Sequence, residues 1–162
     1  MAAKTMNDLF VRSLKDVYYA EKQINKALPK LIRQLSETGL KQALETHRGE
    51  VEDHIDRLEQ VFEHCGTPPR SVRCEAIDGI LQETREVIEE IEDDKVRDAA
   101  LIADTQAAAH YLICRYGTLS AWAARLDLKE AQALLHQSLE EEKKIDHQLT
   151  EIAMQTVNKK AA

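Results

Sequence analysis

Turn-forming residues are scarce in this chain of 162, with five glycines and three prolines, and aromatic residues make up only 4%. Sandwiches and barrels need many turn residues and many aromatic or β-branched ones, so an all-β fold is disfavoured. Basic residues are outnumbered, 22 against 29 acidic, and the net charge of -7 is a poor match for a phosphate backbone. Nucleic acid is therefore not an expected partner. No apolar stretch approaches the roughly 18–20 residues that a membrane span requires. The opening residues, Met1 to Asp8, also lack the apolar run of a signal peptide. Cysteine is sparse as well: Cys65, Cys74 and Cys114 have no Cys-x-x-Cys spacing. That pattern suits reduced thiols, with a redox pair between Cys65 and Cys74 as the minor alternative. Together these features predict a cytoplasmic protein without a membrane partner.

What is present is hydrophobic residues at 43% and charged ones at 31%, the balance of a water-covered helical protein. Breakers at Thr38-Gly39, Gly66-Thr67-Pro68-Pro69, Glu92-Asp93-Asp94 and Asp127 predict five helical segments: 6–36, 40–64, 74–91, 96–126 and 129–158. Thr5 and Asp8 form a capping-box pattern, Gly39 and Gly66 stand where helix-ending glycines belong, and Pro29 is expected to kink the first helix. Short connections make antiparallel hairpins of the first two segments and of the last two. The long stretch between carries the short third helix, with one apolar stripe through Ile77, Ile80, Leu81, Val87, Ile88 and Ile91. Two hairpins joined by a long crossover predict an all-α, ferritin-like four-helix bundle, a single domain over 1–162.

Polar residues interrupt the apolar seams at one level. The first segment reads Phe10, Leu14, Val17, Glu21, Ile24, Leu28, Leu31, Leu35 in strict 4,3 spacing, with one carboxylate. The second places His47 and His54 on its seam, with Glu50 one turn from each. The fifth carries Glu142 between Ser138 and Ile145, whereas the fourth, from Ile102 through Ala109, Leu112 and Tyr116 to Leu126, has no charge. Glu21, Glu50, His54 and Glu142 all fall near the midpoints of their helices, and antiparallel helices of similar length align their midpoints. Carboxylates meeting in a dry interior repel one another, and a hard divalent cation with oxygen and imidazole ligands is the simplest compensation. The candidate metal ligands are therefore Glu21, Glu50, His54 and Glu142, with Asp53, His110 and Asp146 as outer candidates. A metal-free bundle is the competing outcome. His47 reads as a hydrogen-bonded core or interface histidine, Tyr18 as a core aromatic with its hydroxyl bonded. Replacing Glu21 with Leu is expected to stabilise the metal-free protein by removing a buried charge.

Several stretches resemble the YciE/YciF family of bacterial stress-associated proteins, on the YciF side. They include Asp8-Leu9-Phe10, Ala20-Glu21-Lys22-Gln23, Lys26-Ala27-Leu28-Pro29-Lys30-Leu31, Val96-Arg97-Asp98-Ala99-Ala100-Leu101-Ile102-Ala103, His110-Tyr111, Tyr116-Gly117-Thr118-Leu119, Glu141-Glu142-Lys143 and Val157-Asn158-Lys159-Lys160. The resemblance implies a rubrerythrin-like bundle, a homodimer and a candidate di-iron site, so that iron is the expected ion with manganese or zinc as alternatives, and Glu21, Glu50 and Glu142 fall on the family's carboxylate positions. Where the family pattern is Gln-x-x-Glu-His-Tyr-Glu, this chain has Gln106-Ala107-Ala108-Ala109-His110-Tyr111-Leu112. Both glutamates are replaced, at Ala109 and Leu112, which predicts one ion or a weak pair rather than a full dinuclear centre. Two functions follow: metal chemistry directed at oxygen or peroxide, or a non-enzymatic interaction or stress-protective bundle. No substrate, electron donor or enzyme class is named by the sequence.

Overall fold

The computed structural model describes residues 2–162. The helices are α1 (Met6–Gln34), α2 (Thr38–His64), α3 (Glu75–Glu90), α4 (Asp94–Arg125) and α5 (Lys129–Ile152), followed by a π-helical stretch Ala153–Val157 and a last turn, α6 (Asn158–Ala161). Neighbours run α1–α2–α5–α4 and back to α1, the ring of a four-helix bundle, with α3 laid against α1 and α4. The expected all-helical bundle of two hairpins and a crossover helix is what the chain forms. Among the described residues no helix is long and apolar enough to cross a membrane.

The seam positions read from the sequence are the buried ones. All eight of the α1 series are buried, Glu21 among them, as are Leu40 through Val61 on α2 and Ile102 through Ala123 on α4. Helix ends follow local chemistry. Thr5 and Asp8 close a capping box on α1, and Glu37 caps α2 by accepting from the Gly39 N–H. Gly39 is thus in the first turn of α2 and does not end α1. Helix α1 stops at Gln34 because the next residues are held elsewhere. The Ser36 N–H, the Ser36 hydroxyl and the Glu37 N–H donate to the buried carboxylate of Asp98 on α4, at 2.9, 2.6 and 2.9 Å. Pro29 lies within α1, which continues past it.

Helix α2 ends on a left-handed Gly66 (φ 62°), with the Gly66 and Thr67 N–H groups reaching back to Glu63 and Phe62. Helix α4 ends in the same way on Asp127 (φ 57°), whose short polar side chain tolerates a conformation most residues avoid. The single fifth segment expected through residue 158 is broken by the π-helical stretch. In an α-helix, residues spaced by four drift about 40° around the axis at each step. Underwinding the turn offsets that drift and keeps Ala153 and Val157 on the buried side after Leu149.

The crossover is pinned to the bundle. The Val72 N–H reaches the Lys15 carbonyl, the Tyr19 hydroxyl donates to Asp78 at 2.8 Å, and Cys74 Sγ sits 3.0 Å from the Tyr111 hydroxyl. All three cysteines are free. Because Asp98 satisfies two backbone donors and one hydroxyl at the α1–α2 turn, Asp98→Ala is expected to cost about 2–3 kcal/mol. Thermal melting should show a drop of roughly 5–10 °C with the helical signal retained below the transition.

Candidate metal centre

Four helices each send one polar group to the same level of the core. Glu21 comes from α1, His54 from α2, Tyr116 from α4 and Glu142 from α5, and each is fully buried. His54 is the hub. Its Nδ1 lies 3.0 Å from Glu21 Oε1 and 3.4 Å from Glu142 Oε1. The first contact is a hydrogen bond; the second has the distance of an ion pair without hydrogen-bond geometry, and both Glu142 oxygens lack a donor. The Tyr116 hydroxyl donates to Glu21 Oε1 at 2.6 Å, and Glu21 Oε2 also lacks a donor. Ligand atoms of Glu21, His54 and Glu142 all lie within 4.8 Å of one another.

The far side of the imidazole is fixed. His54 Nε2 lies 2.9 Å from Glu141 Oε2, and Arg57, one turn along α2, grips both oxygens of Glu141 at 2.7 and 2.9 Å. Arg57 also donates to Ser138 at 3.1 Å. A carboxylate holding one ring nitrogen turns the other toward the cluster, the arrangement by which proteins orient imidazole ligands.

Electrostatics follow from this packing. Burial opposes a charge on His54, but Glu21 and Glu142 outweigh it and carry its pKa up to about 10. Burial raises the pKa of Glu142 despite the neighbouring imidazoles. Burial and Glu21 together push the Tyr116 phenol well above its ordinary value, so the proton stays on oxygen. Burial pulls upward on Glu141 as well, and Arg57 chiefly overcomes it to hold that carboxyl below the usual range.

Of the four ligands expected from sequence, Glu21, His54 and Glu142 converge, while Glu50 lies outside the cluster. Glu50 is one turn away, its side chain 20% exposed, with Oε2 3.4 Å from His47 Nδ1 and Oε1 3.2 Å from Lys144 Nζ. The His47 hydrogen bond is the main reason its pKa falls to about 2. His47 is buried and bridges outward, with Nε2 3.8 Å from Glu142. Asp53 is exposed. His110 and Asp146 pair with each other at 3.0 Å on the surface, away from the cluster. Tyr18, as expected, is a core aromatic, donating to Glu59 at 2.7 Å and packed edge-on against Phe62.

Sequence reasoning gave no role to Tyr116, Glu141 or Arg57. A tyrosine on the otherwise apolar α4 seam was the available signal for the first. Leu112 and Ala109 are buried on the face of α4 that carries Tyr116, one and two turns earlier respectively, so hydrophobic packing stands at the two positions where the resemblance implies glutamates.

Comparison with known proteins agrees with this architecture. A family model described as "Domain of unknown function (DUF892)" matches residues 5–162. The protein YciF of Escherichia coli (strain K12) is 44% identical over 162 residues, covering 99% of this chain and 98% of that protein. The crystal structure of the same stress protein superposes with a TM-score of 0.92 at 44% identity, over 97% of this chain and 99% of that one. YcfI of Rhodopseudomonas palustris, for which a structural role has been suggested, is 46% identical with a TM-score of 0.89, over 91% of this chain and 94% of that one.

The partners of Glu21 reverse one expectation. Leu at this position would take from His54 its hydrogen-bonded partner on the Nδ1 side and leave the Tyr116 hydroxyl without its acceptor, so Glu21→Leu should destabilise the metal-free protein by about 3–5 kcal/mol in urea unfolding. Stability should also depend on pH at both ends. The His54 pKa stands at about 10 against 6.5 unfolded, so its contribution is complete below pH 6.5 and is lost as pH rises toward 10. The Glu50 pKa stands at about 2 against 4.5, so its contribution is present above pH 4.5 and is lost as pH falls toward 2. Urea midpoints of metal-free protein across pH should show a plateau between these flanks.

Proposed function

We propose, from the premise that the chain belongs to the DUF892 family, that it is a YciF-like stress-response protein whose bundle interior binds one divalent metal ion through Glu21, His54 and Glu142. Three buried carboxylate oxygens without a donor among the described residues carry this reading: Glu21 Oε2 and both oxygens of Glu142. A buried carboxylate that accepts nothing costs several kcal/mol unless a cation or a proton compensates it. The donor set of two carboxylates and one imidazole suits iron first, with manganese and zinc as competitors. Iron or manganese held there would supply redox chemistry toward oxygen or peroxide, whereas zinc would supply none.

This chain's own residues have definable tasks around that site. Glu141 and Arg57 orient His54 through Nε2, leaving Nδ1 for the cluster. Tyr116 holds its proton and anchors Glu21. Ala109 and Leu112 exclude water where a second ion would need carboxylates, which argues against a full dinuclear centre. Glu50 serves as a reserve ligand, available only if it leaves Lys144.

The alternative, a non-enzymatic protective bundle, is favoured by the hydrogen bonds that already join His54, Glu21, Glu141 and Arg57 without any ion. The same proposal includes a cytoplasmic homodimer, supported by the family resemblance and by half-buried Trp122 on α4, and testable by sedimentation equilibrium.

Anaerobic titration of metal-free protein with iron(II) separates the two functions. The metal reading predicts saturation near about one equivalent per chain, loss of that binding in Glu142→Ala, and a rise toward about two equivalents in the Ala109→Glu, Leu112→Glu double variant. Absence of saturable binding in the folded wild type would favour the protective bundle.

A further inference from the structure

A groove of about 210 Å³ lies between α1 and the crossover helix α3, half open to solvent. Its floor is apolar, formed by Ala27, Leu31, Leu81 and Ile88. Lys26 and Lys30, one turn apart on α1, and Arg85, across the groove on α3, line it as well, and all three are exposed. None of these cations makes an ion pair within 4 Å among the described residues; Arg85 donates to the side-chain amide oxygen of Gln82. In a chain with a net charge of -7, a trough lined by three cations and by no carboxylate is a local reversal of sign. A neighbouring recess of about 30 Å³, room for one water, shares Ala27, Leu31 and Leu81 with the groove and is bordered by the polar Asp104 and Thr105.

We propose that this groove binds the anion of a medium-chain alkyl carboxylic acid, with its tail on the Leu31–Leu81 floor and its carboxylate among Lys26, Lys30 and Arg85. The charge selects an anion, and the apolar floor selects a tail over a small inorganic ion. The volume limits that tail to roughly eight carbons, since an apolar cavity of about 150 Å³ holds benzene. Lysine stems flanking the trough add apolar contact while their ammonium groups stay in water beside the carboxylate. The site is separate from the metal centre, so its failure leaves the metal reading standing, and the converse holds.

Isothermal titration of the full chain with octanoate, octylammonium and acetate tests the proposal. Octanoate should bind at one site per chain and weaken as salt rises, whereas octylammonium and acetate give no saturable heat over the same range. The Lys26→Glu, Arg85→Glu double variant should weaken octanoate about tenfold or more, near 1.4 kcal/mol. Leu81→Trp, which fills the floor, should do the same, with thermal melting used to show that both variants stay folded. The proposal is overturned if octylammonium binds as well as octanoate, if neither variant moves the octanoate affinity, or if no saturable heat appears below about 1 mM. Uptake on anionic-lipid vesicles without binding of free octanoate would equally overturn it, by assigning the cations to a membrane surface.

Discussion

The imidazole of His54, held between three carboxylates from two neighbouring helices at the centre of the bundle, is the constraint around which the rest is arranged. Glu21 and Glu142 face its Nδ1 side and Glu141 its Nε2 side, so α1, α2 and α5 are tied at one height. Tyr116 adds α4 through Glu21. An apolar seam alone tolerates sliding by a turn, because one leucine replaces another; a buried charge with directional partners does not. The cluster therefore fixes the register of the bundle as well as offering a ligand set. The two roles have opposite demands, since ligation takes the Nδ1 side that Glu21 now occupies.

Most of the fold was legible from periodicity. A 4,3 spacing that includes Glu21 among seven apolar residues has one structural solution, a long helix with that carboxylate inside. The seams of α2, α4 and α5 place His54, Tyr116 and Glu142 by the same logic. Periodicity reported less well on the residues beside a seam. Glu50 is four residues before His54 and three after His47, so it stands some 40–60° off the seam line. That rotation is enough to carry its carboxylate out to Lys144. Asp146 follows Glu142 by four residues and turns toward Gln106 and His110 in the same way. Two further features depended on contacts distant in sequence. The end of α1 is set by Asp98, more than sixty residues away, and Glu141 gains its role from Arg57 on another helix.

Ala109 and Leu112, at the two positions where the resemblance implies glutamates, give the site its individual character. Hydrophobic packing there removes negative charge from the interior and leaves a smaller ligand set. The remaining groups divide into those already satisfied, His54, Glu141 and Arg57, and those with open oxygens, Glu21 and Glu142. On the reading proposed above, a site built this way would hold one ion rather than two. The raised pKa of Glu142 expresses the same point, since burial without a donor works against its charge.

Elemental analysis of native protein, purified without chelators or a histidine tag, addresses the central claim most directly. The account predicts about one equivalent of iron, manganese or zinc per chain, lowered in Glu142→Ala. Less than about a tenth of an equivalent, persisting after anaerobic addition of iron(II), would contradict it and leave the buried cluster as a register lock alone.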